Sequence, residues 1–173
     1  KIPPLIVSLH MPKTAGNSFK AVLDEHFKEA LKNDYADYPI NVEPHERHRQ
    51  AVAGCLATTA EDYREIRCIH GHFLPVKYLL LADLLPVVFV TWMREPLARL
   101  VSHYHYWYDA YDPQSADTRP LHRRVVEEQW SLEQFCLSPD MRNLYSQFLW
   151  GFPLERFNFI GITENYESDL RAF

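Results

Sequence analysis

The chain has 173 residues, of which 47% are hydrophobic and 24% are charged, and its formal net charge is −5. This is the composition of one soluble globular domain, and the acidic balance argues against a general nucleic-acid coat. No apolar run reaches the roughly 18 residues of a membrane span, and the three cysteines lack the CxxC spacing of a zinc site.

Strands and helices alternate along the chain. Short apolar runs predict strands at residues 4–10, 66–73, 86–92 and 157–162. Helical spacing of apolar residues predicts helices at 18–31 and 96–108, two or three within 121–150, and one from Tyr166 onward. The polar, proline-punctuated stretch 33–49 is expected to be a surface excursion. The alternation predicts an α/β fold, a three-layer sandwich with a central parallel sheet, whose ligands bind beyond the carboxyl ends of the strands.

The first strand leads into a turn and a helix start, and residues 10–19 there read HMPKTAGNSF. Backbone N–H groups and the positive end of the helix dipole converge at such a turn, which favours an anion. Lys13 adds a charge, and Thr14, Asn17 and Ser18 add short donors. This is not a Walker A loop, because the glycine follows the lysine. An ordinary turn with a solvated lysine stays open as the alternative.

The strand at 86–92 is followed by a cation, Arg94. A phosphate-transferring P-loop enzyme usually has an acidic residue at such a strand end, which holds magnesium. An arginine can instead contact a phosphate in a bidentate manner. Ser102 follows two helical turns later and could reach the same pocket, whereas Arg99 is expected to be solvated or ion-paired on the helix.

His70 and His72 flank Gly71 just after the second predicted strand. Residues at i and i+2 of an extended segment point to the same side, so both rings are expected to face one cleft. Imidazole titrates near neutral pH, which suits a general base. Structural histidines are the alternative, and it stays open. The aromatic run 103–108 is expected either to pack within the helices or to form an acceptor-facing wall.

Residues 12–19, PKTAGNSF, and residues 94–104, REPLARLVSHY, together resemble the two nucleotide loops of a known enzyme family. The family is the sulfotransferases that use 3′-phosphoadenosine 5′-phosphosulfate (PAPS). The pattern is similar to that of the Golgi carbohydrate enzymes of the heparan sulfate 2-O-sulfotransferase type and their bacterial relatives. The resemblance covers most of the chain and implies a P-loop-like sulfotransferase fold.

The resemblance also implies roles for individual residues. Arg94 and Ser102 would hold the 3′-phosphate of the donor. His72 would be the catalytic base, with His70 orienting it or the acceptor, and Lys13 would stabilise charge in the transition state. The 5′-phosphosulfate would be held by Lys13, Thr14, Ala15, Gly16, Asn17 and Ser18.

The favoured hypothesis is a sulfotransferase that moves a sulfuryl group from PAPS to an acceptor hydroxyl of a carbohydrate or small molecule, by in-line transfer without a metal. A nucleotide-dependent, kinase-like phosphotransferase on a related P-loop fold and a non-catalytic nucleotide-binding module are the alternatives. Residues 1–173 are expected to form a single domain, and truncation at the C-terminal end stays open because family members continue further. No nucleic acid and no membrane span are expected. A bacterial cytoplasmic protein is favoured, with a trimmed Golgi-luminal domain as the alternative.

Overall fold

A parallel sheet forms the centre of the computed structural model, which describes residues 3–37, 40, 42–116 and 118–173. In this part of the chain the sheet has five strands in the order β2-β3-β1-β4-β5. Their bounds are Leu5–Leu9 (β1), Leu31–Asn33 (β2), Cys68–Gly71 (β3), Val87–Met93 (β4) and Phe159–Ile162 (β5).

The helices connect these strands and follow the last of them. The α-helices are Gly16–Phe27 (α1), Pro44–Ala57 (α2), Pro96–Asp109 (α3), Pro120–Glu127 (α4), Leu132–Leu137 (α5), Leu144–Phe148 (α6) and Tyr166–Ala172 (α7). A longer 3-10 segment spans Pro75–Asp83, and short 3-10 turns lie at Lys28–Ala30, Glu61–Tyr63, Pro139–Met141, Leu154–Arg156 and Thr163–Asn165. None of the helices in the described ranges is long and apolar enough to cross a membrane.

The sheet is covered on both faces, and alternate strand residues show this. In β1, Leu5, Val7 and Leu9 pack into one core together with the Pro75–Asp83 segment and α6. Ile6, between them, packs into a second core with α1 and α7. Successive side chains of a strand point to opposite faces, so two separate cores mean two covering layers. The predicted three-layer α/β sandwich with a central parallel sheet is confirmed.

The prediction that residues 33–49 form a surface excursion is wrong. Strand β2 ends inside it at Asn33, and α2 begins inside it at Pro44. The predicted helix 18–31 likewise stops earlier, because Leu31 already pairs with Cys68 of β3. A three-residue edge strand carries too short an apolar pattern to be recognised. A part-buried ion pair joins α2 to the segment before it: the buried Arg47 donates to the Asp37 carboxylate at 2.6 and 2.7 Å.

The topology gathers three loops at one edge of the sheet. Strand β1 lies in the centre, paired with β3 on one side and β4 on the other. From β1 the chain passes through α1 toward β2 and β3, whereas from β4 it passes through α3 to α6 toward β5. A crevice forms where connections leave in opposite directions, and open parallel sheets bind ligands there.

Candidate functional site

A cavity of about 940 Å³ opens at this edge of the sheet. Residues that follow β1, β3 and β4 line it, together with one face of α3. Its charged lining groups are Lys13, Lys20, Arg94 and Arg119, and none of the described residues that line it is an Asp or Glu. A chain with a net charge of −5 therefore has a cavity of the opposite sign, which suits an anionic ligand.

The loop after β1 is a strained turn that shapes one wall of the cavity. Lys13 and Ala15 both have left-handed backbones, with φ of 67° and 63°. A non-glycine residue in this region costs roughly 1 to 2 kcal/mol, so the surrounding contacts hold the turn in place. One contact is the Thr14 hydroxyl, which donates to the Met11 carbonyl at 2.8 Å. Thr14 is buried and does not line the cavity; the other predicted donor-site residues, Lys13, Ala15, Gly16, Asn17 and Ser18, do.

Under this loop lies His10, to which the sequence interpretation gave no role. A Cβ at position 16 would lie 1.8 Å from Nε2 of His10, so Gly16 is the residue that allows α1 to start against this ring. His10 is buried, and burial lowers its pKa to about 2, with the charges of nearby histidines and Lys13 contributing. The ring is therefore neutral and supports the loop rather than titrating.

Lys13 and Arg94 both line the cavity, and their positive charges lie close enough to influence each other. The Lys13 ammonium lies 4.0 Å from the centroid of the Tyr106 ring, an aromatic contact that a cation favours. Burial lowers the pKa of Lys13, and the positive charge of Arg94 lowers it further. The two cations repel each other, and an anion placed between them would remove that repulsion.

Arg94 lines the cavity next to the Glu164 carboxylate, with which it forms a loose ion pair. Its Nε is buried and makes no hydrogen bond to any described residue; the nearest carboxylate oxygen, on Glu164, lies 3.8 Å away. The N-terminus of α3 has few free N–H groups for an anion, because the Glu95 carboxylate accepts those of Leu97 and Ala98 at 3.0 and 2.6 Å. An anion here would be bound by side chains, and Ser102 lines the same cavity.

His72 lines the cavity with a defined tautomer. Its Nδ1 lies 2.5 Å from the carbonyl oxygen of His10. A carbonyl can only accept, so Nδ1 carries the hydrogen and Nε2 carries the lone pair of the neutral ring. Burial lowers the pKa of His72, and the bond to His10 and the charge of Asp37 offset this only in part. The ring is neutral at pH 7 and able to accept a proton.

His70 is arranged differently, and the prediction that both rings face one cleft is wrong for it. The side chain is buried and does not line the cavity. Its Nδ1 lies 2.9 Å from the Ser8 hydroxyl, and the His10 ring contacts both histidines, with centroids 5.2 Å from His70 and 4.5 Å from His72. The reason is that β3 ends at Gly71, so the alternation of an extended strand does not continue to the next residue.

The aromatic face of α3 both packs in the interior and lines the cavity. His103 and Trp107 contact the ring of Phe135, with centroids 5.8 and 5.4 Å apart, and both also line the cavity. Arg99, one turn earlier, is buried rather than solvated, because spacing of four residues places it on this same face. Packing within the helices is thus confirmed for this face, and the same face lines the cavity; that it faces an acceptor stays a prediction.

Tyr35 is a further cavity residue that the sequence interpretation missed. Its hydroxyl lies 3.1 Å from Nδ1 of His10, and its ring packs edge-on against His72 with centroids 4.9 Å apart. It follows the short edge strand β2, so no local pattern marked it. The contacts place a phenol hydroxyl close to the imidazole pair.

No family model and no curated protein sequence matches this chain. Among solved structures, mouse sulfotransferase SULT7A1 complexed with 3′-phosphoadenosine 5′-phosphate (PAP) is 15% identical to this chain. The match covers 98% of this chain and 54% of the mouse chain, with a TM-score of 0.44. A sulfotransferase from Alicyclobacillus acidocaldarius is 15% identical over 99% of this chain and 78% of its own, with a TM-score of 0.43. The chain spans about half the length of the mouse protein, and its function has to be inferred from its own residues.

Proposed function

We propose that this chain is a sulfotransferase that transfers a sulfuryl group from PAPS to an acceptor hydroxyl. The observation that carries the proposal is the cationic cavity, in which the charge of Arg94 lowers the pKa of Lys13, and which His72 lines with its hydrogen on Nδ1 and its lone pair on Nε2. The resemblance of residues 12–19 and 94–104 to the nucleotide loops of PAPS-dependent enzymes supports the same reaction. A kinase-like reaction has less support, because a cation stands after β4.

The cavity residues fit a donor with phosphate groups at two positions. The loop from Lys13 to Ser18 would hold the 5′-phosphosulfate, with backbone N–H groups at the start of α1 aimed at it. Arg94 and Ser102, which both line the cavity, would hold the 3′-phosphate. An anion between Lys13 and Arg94 would also relieve their mutual repulsion.

The transfer then needs charge stabilisation and a proton acceptor. The donor supplies the sulfuryl group, and the Lys13 ammonium would stabilise the negative charge that develops on the oxygen bridging sulfate and phosphate. The acceptor hydroxyl passes its proton to Nε2 of His72 while its oxygen bonds to sulfur; the bridging bond breaks, and PAP leaves. The chain supplies both groups from its own side chains, so the proposed step uses no metal.

His70 would act as a positioning residue in this arrangement. It contacts the His10 ring, and His10 provides the carbonyl that fixes the His72 tautomer. The role predicted for His70, orienting the base, is thus proposed to operate through His10.

The acceptor side of the cavity suits a ring-shaped molecule. The His72 ring lies 4.9 Å from the ring of Tyr35 and 6.1 Å from that of Phe148, and Leu144 and Trp107 also line the cavity. Flat apolar and aromatic surfaces pack against the faces of sugar or other rings, which supports a carbohydrate or a small molecule as acceptor. A screen of hydroxyl acceptors with a radiolabelled sulfate donor would identify it.

Calorimetry with nucleotides tests the proposed donor. We expect PAP to bind more tightly than ATP with magnesium, because Arg94 and the loop after β1 offer two anion positions and no carboxylate from the described lining for a metal. Preference for ATP with magnesium would contradict the proposal and favour a phosphotransferase. Tight PAP binding with no turnover on any acceptor would indicate a non-catalytic nucleotide-binding module.

Replacing Arg94 by alanine should weaken PAP binding more than binding of adenosine 5′-phosphosulfate, which has no 3′-phosphate. The loss of a charged hydrogen-bond partner costs on the order of 1.5 to 3 kcal/mol. Calorimetric dissociation constants for both nucleotides, measured on the wild-type and Arg94→Ala chains, give the difference. An equal loss for both would remove Arg94 from this role.

A further inference from the structure

Arg94 lies just where the hydrogen-bond ladder of the sheet stops. The last paired residues of β4 are Thr91 on the β1 side and Met93 on the β5 side. The peptide groups that follow have no strand neighbour, yet buried N–H and C=O groups need partners. Side chains from two other elements supply them.

Three side chains hold this segment, and we call them the Arg94 clamp: Tyr145, Thr163 and Glu164. The Thr163 hydroxyl donates to the Met93 carbonyl at 2.9 Å, and the Glu164 carboxylate accepts the Glu95 N–H at 3.2 Å. These contacts fix the residues on either side of Arg94.

Tyr145, on α6, holds the Arg94 backbone itself. Its hydroxyl oxygen accepts the Arg94 N–H at 2.9 Å and donates to the Arg94 carbonyl at 2.6 Å. The phenol ring is half-buried against the core under the sheet. One oxygen atom therefore replaces both the donor and the acceptor that a neighbouring strand would provide.

The contact between Tyr145 and the Arg94 backbone affects how the Arg94 guanidinium can bind an anion. A guanidinium recognises a phosphate through a fixed fork of donors, so its affinity depends on where its Cα is held. Among the described residues the Arg94 guanidinium forms an ion pair with Glu164 at 3.8 Å, but its Nε makes no hydrogen bond. Its position therefore depends on this ion pair and on the backbone that Tyr145 holds.

We propose that Tyr145 is a positioning residue for the nucleotide site: by holding the Arg94 peptide through both backbone groups, it aims the guanidinium at the 3′-phosphate. This inference rests on the proposed function, because it assumes that Arg94 binds that phosphate. Tyr145 is not among the described residues that line the cavity, and its hydroxyl contacts Arg94. Its ring also lies 5.9 Å from the Arg99 guanidinium, but Arg99 is not among those lining residues either.

The test compares PAP with adenosine 5′-monophosphate, which differs only by the missing 3′-phosphate. In Tyr145→Phe we expect the dissociation constant of PAP to rise about fivefold to tenfold, the equivalent of one lost hydrogen bond. The constant for the monophosphate should stay within about twofold, because the hydrogen bonds and the cation–ring contact of Tyr145 within the described residues are with Arg94 and Arg99 and not with the loop after β1.

A matched control removes a tyrosine hydroxyl that contacts backbone at another place, on Tyr108. The Tyr108 hydroxyl is also bonded to backbone: its single hydrogen is shared between the carbonyl oxygens of Val125 and Trp130, at 3.1 and 2.9 Å. Tyr108→Phe should lower the melting temperature about as much as Tyr145→Phe, a few degrees at most, while the ratio of the two dissociation constants stays at the wild-type value.

A double-mutant cycle separates positioning from general destabilisation. In the Arg94→Ala background, Tyr145→Phe should have no further effect on PAP affinity, because the group it positions is gone. Unchanged PAP affinity in Tyr145→Phe, an equal loss for both nucleotides, or an additive loss on top of Arg94→Ala would each overturn the inference while leaving the proposed function standing. A wild-type chain with no preference for PAP over the monophosphate would overturn the proposed nucleotide site, and this inference with it.

Discussion

Replacing His72 by alanine should lower kcat by about 10²- to 10⁴-fold, the range typical of a lost general base. PAP affinity should stay close to the wild-type value, because the proposed role of His72 is toward the acceptor and its observed contacts are with Tyr35 and the His10 carbonyl. Turnover measured with labelled donor, together with calorimetric PAP affinity, checks both halves of this expectation.

His72→Asn separates the base from its structural contact. An asparagine amide can still donate to the His10 carbonyl in place of Nδ1, but it has no nitrogen that accepts a proton. We expect the same collapse of turnover in this variant with an unchanged melting temperature. The exposed His105 offers a control, since His105→Ala should leave turnover near wild type.

The pH dependence of kcat/KM tests the role of the His72 imidazole independently. Burial lowers the pKa of His72 from 6.5, so its neutral form persists below the pH at which free histidine is half protonated. The acid limb of kcat/KM, which reports the free enzyme, should therefore fall at a pH below 6.5 and should be lost in His72→Asn. Near-normal turnover in both His72→Ala and His70→Ala would move the base elsewhere, for example to Glu164.

Replacing Lys13 by alanine should mainly lower kcat, by about 10²- to 10³-fold, which is the usual cost of removing one group that stabilises transition-state charge. Its charge is most effective where negative charge develops, and less so in the ground-state complex. Steady-state kinetics with a saturating acceptor give kcat and the Michaelis constant for the donor separately.

Two controls isolate the charge of Lys13 from its surroundings. Lys20 also lines the cavity, but its ammonium is already paired with Asp24 at 2.6 Å, so Lys20→Ala should change kcat by about threefold or less. Lys13→Gly removes the charge and also relieves the left-handed backbone, so it should be as slow as Lys13→Ala but more stable by about 1 kcal/mol. A change confined to the Michaelis constant would make Lys13 an ordinary binding residue.

Local patterns in the sequence were enough to predict the parallel α/β architecture. Apolar runs around β1, β3, β4 and β5 mark buried strands, because a strand covered on both faces carries a nearly continuous hydrophobic stretch. The same reasoning placed Lys13 and Arg94 at strand ends, and the structure brings both to one cavity. Their roles in binding a nucleotide stay predictions.

The remaining parts of the site depend on contacts between residues far apart in the chain. His10 and His72 are 62 positions apart, and so are Ser8 and His70; each pair meets only because β1 and β3 are neighbours in the sheet. Tyr145 reaches Arg94 across 51 positions.

The sequence by itself determined which segments would be strands and where the charged loops would follow them, because those features depend on short-range periodicity and on the chemistry of strand ends. Only the tertiary structure decided which histidine faces the cavity, that Tyr35 lines it, and that Tyr145 holds the Arg94 backbone. There are two physical reasons. Strand β3 stops at Gly71, so His70 stays buried within the sheet whereas His72, beyond the end of the strand, lines the cavity. Strand pairing, which no local pattern specifies, sets which distant side chains meet.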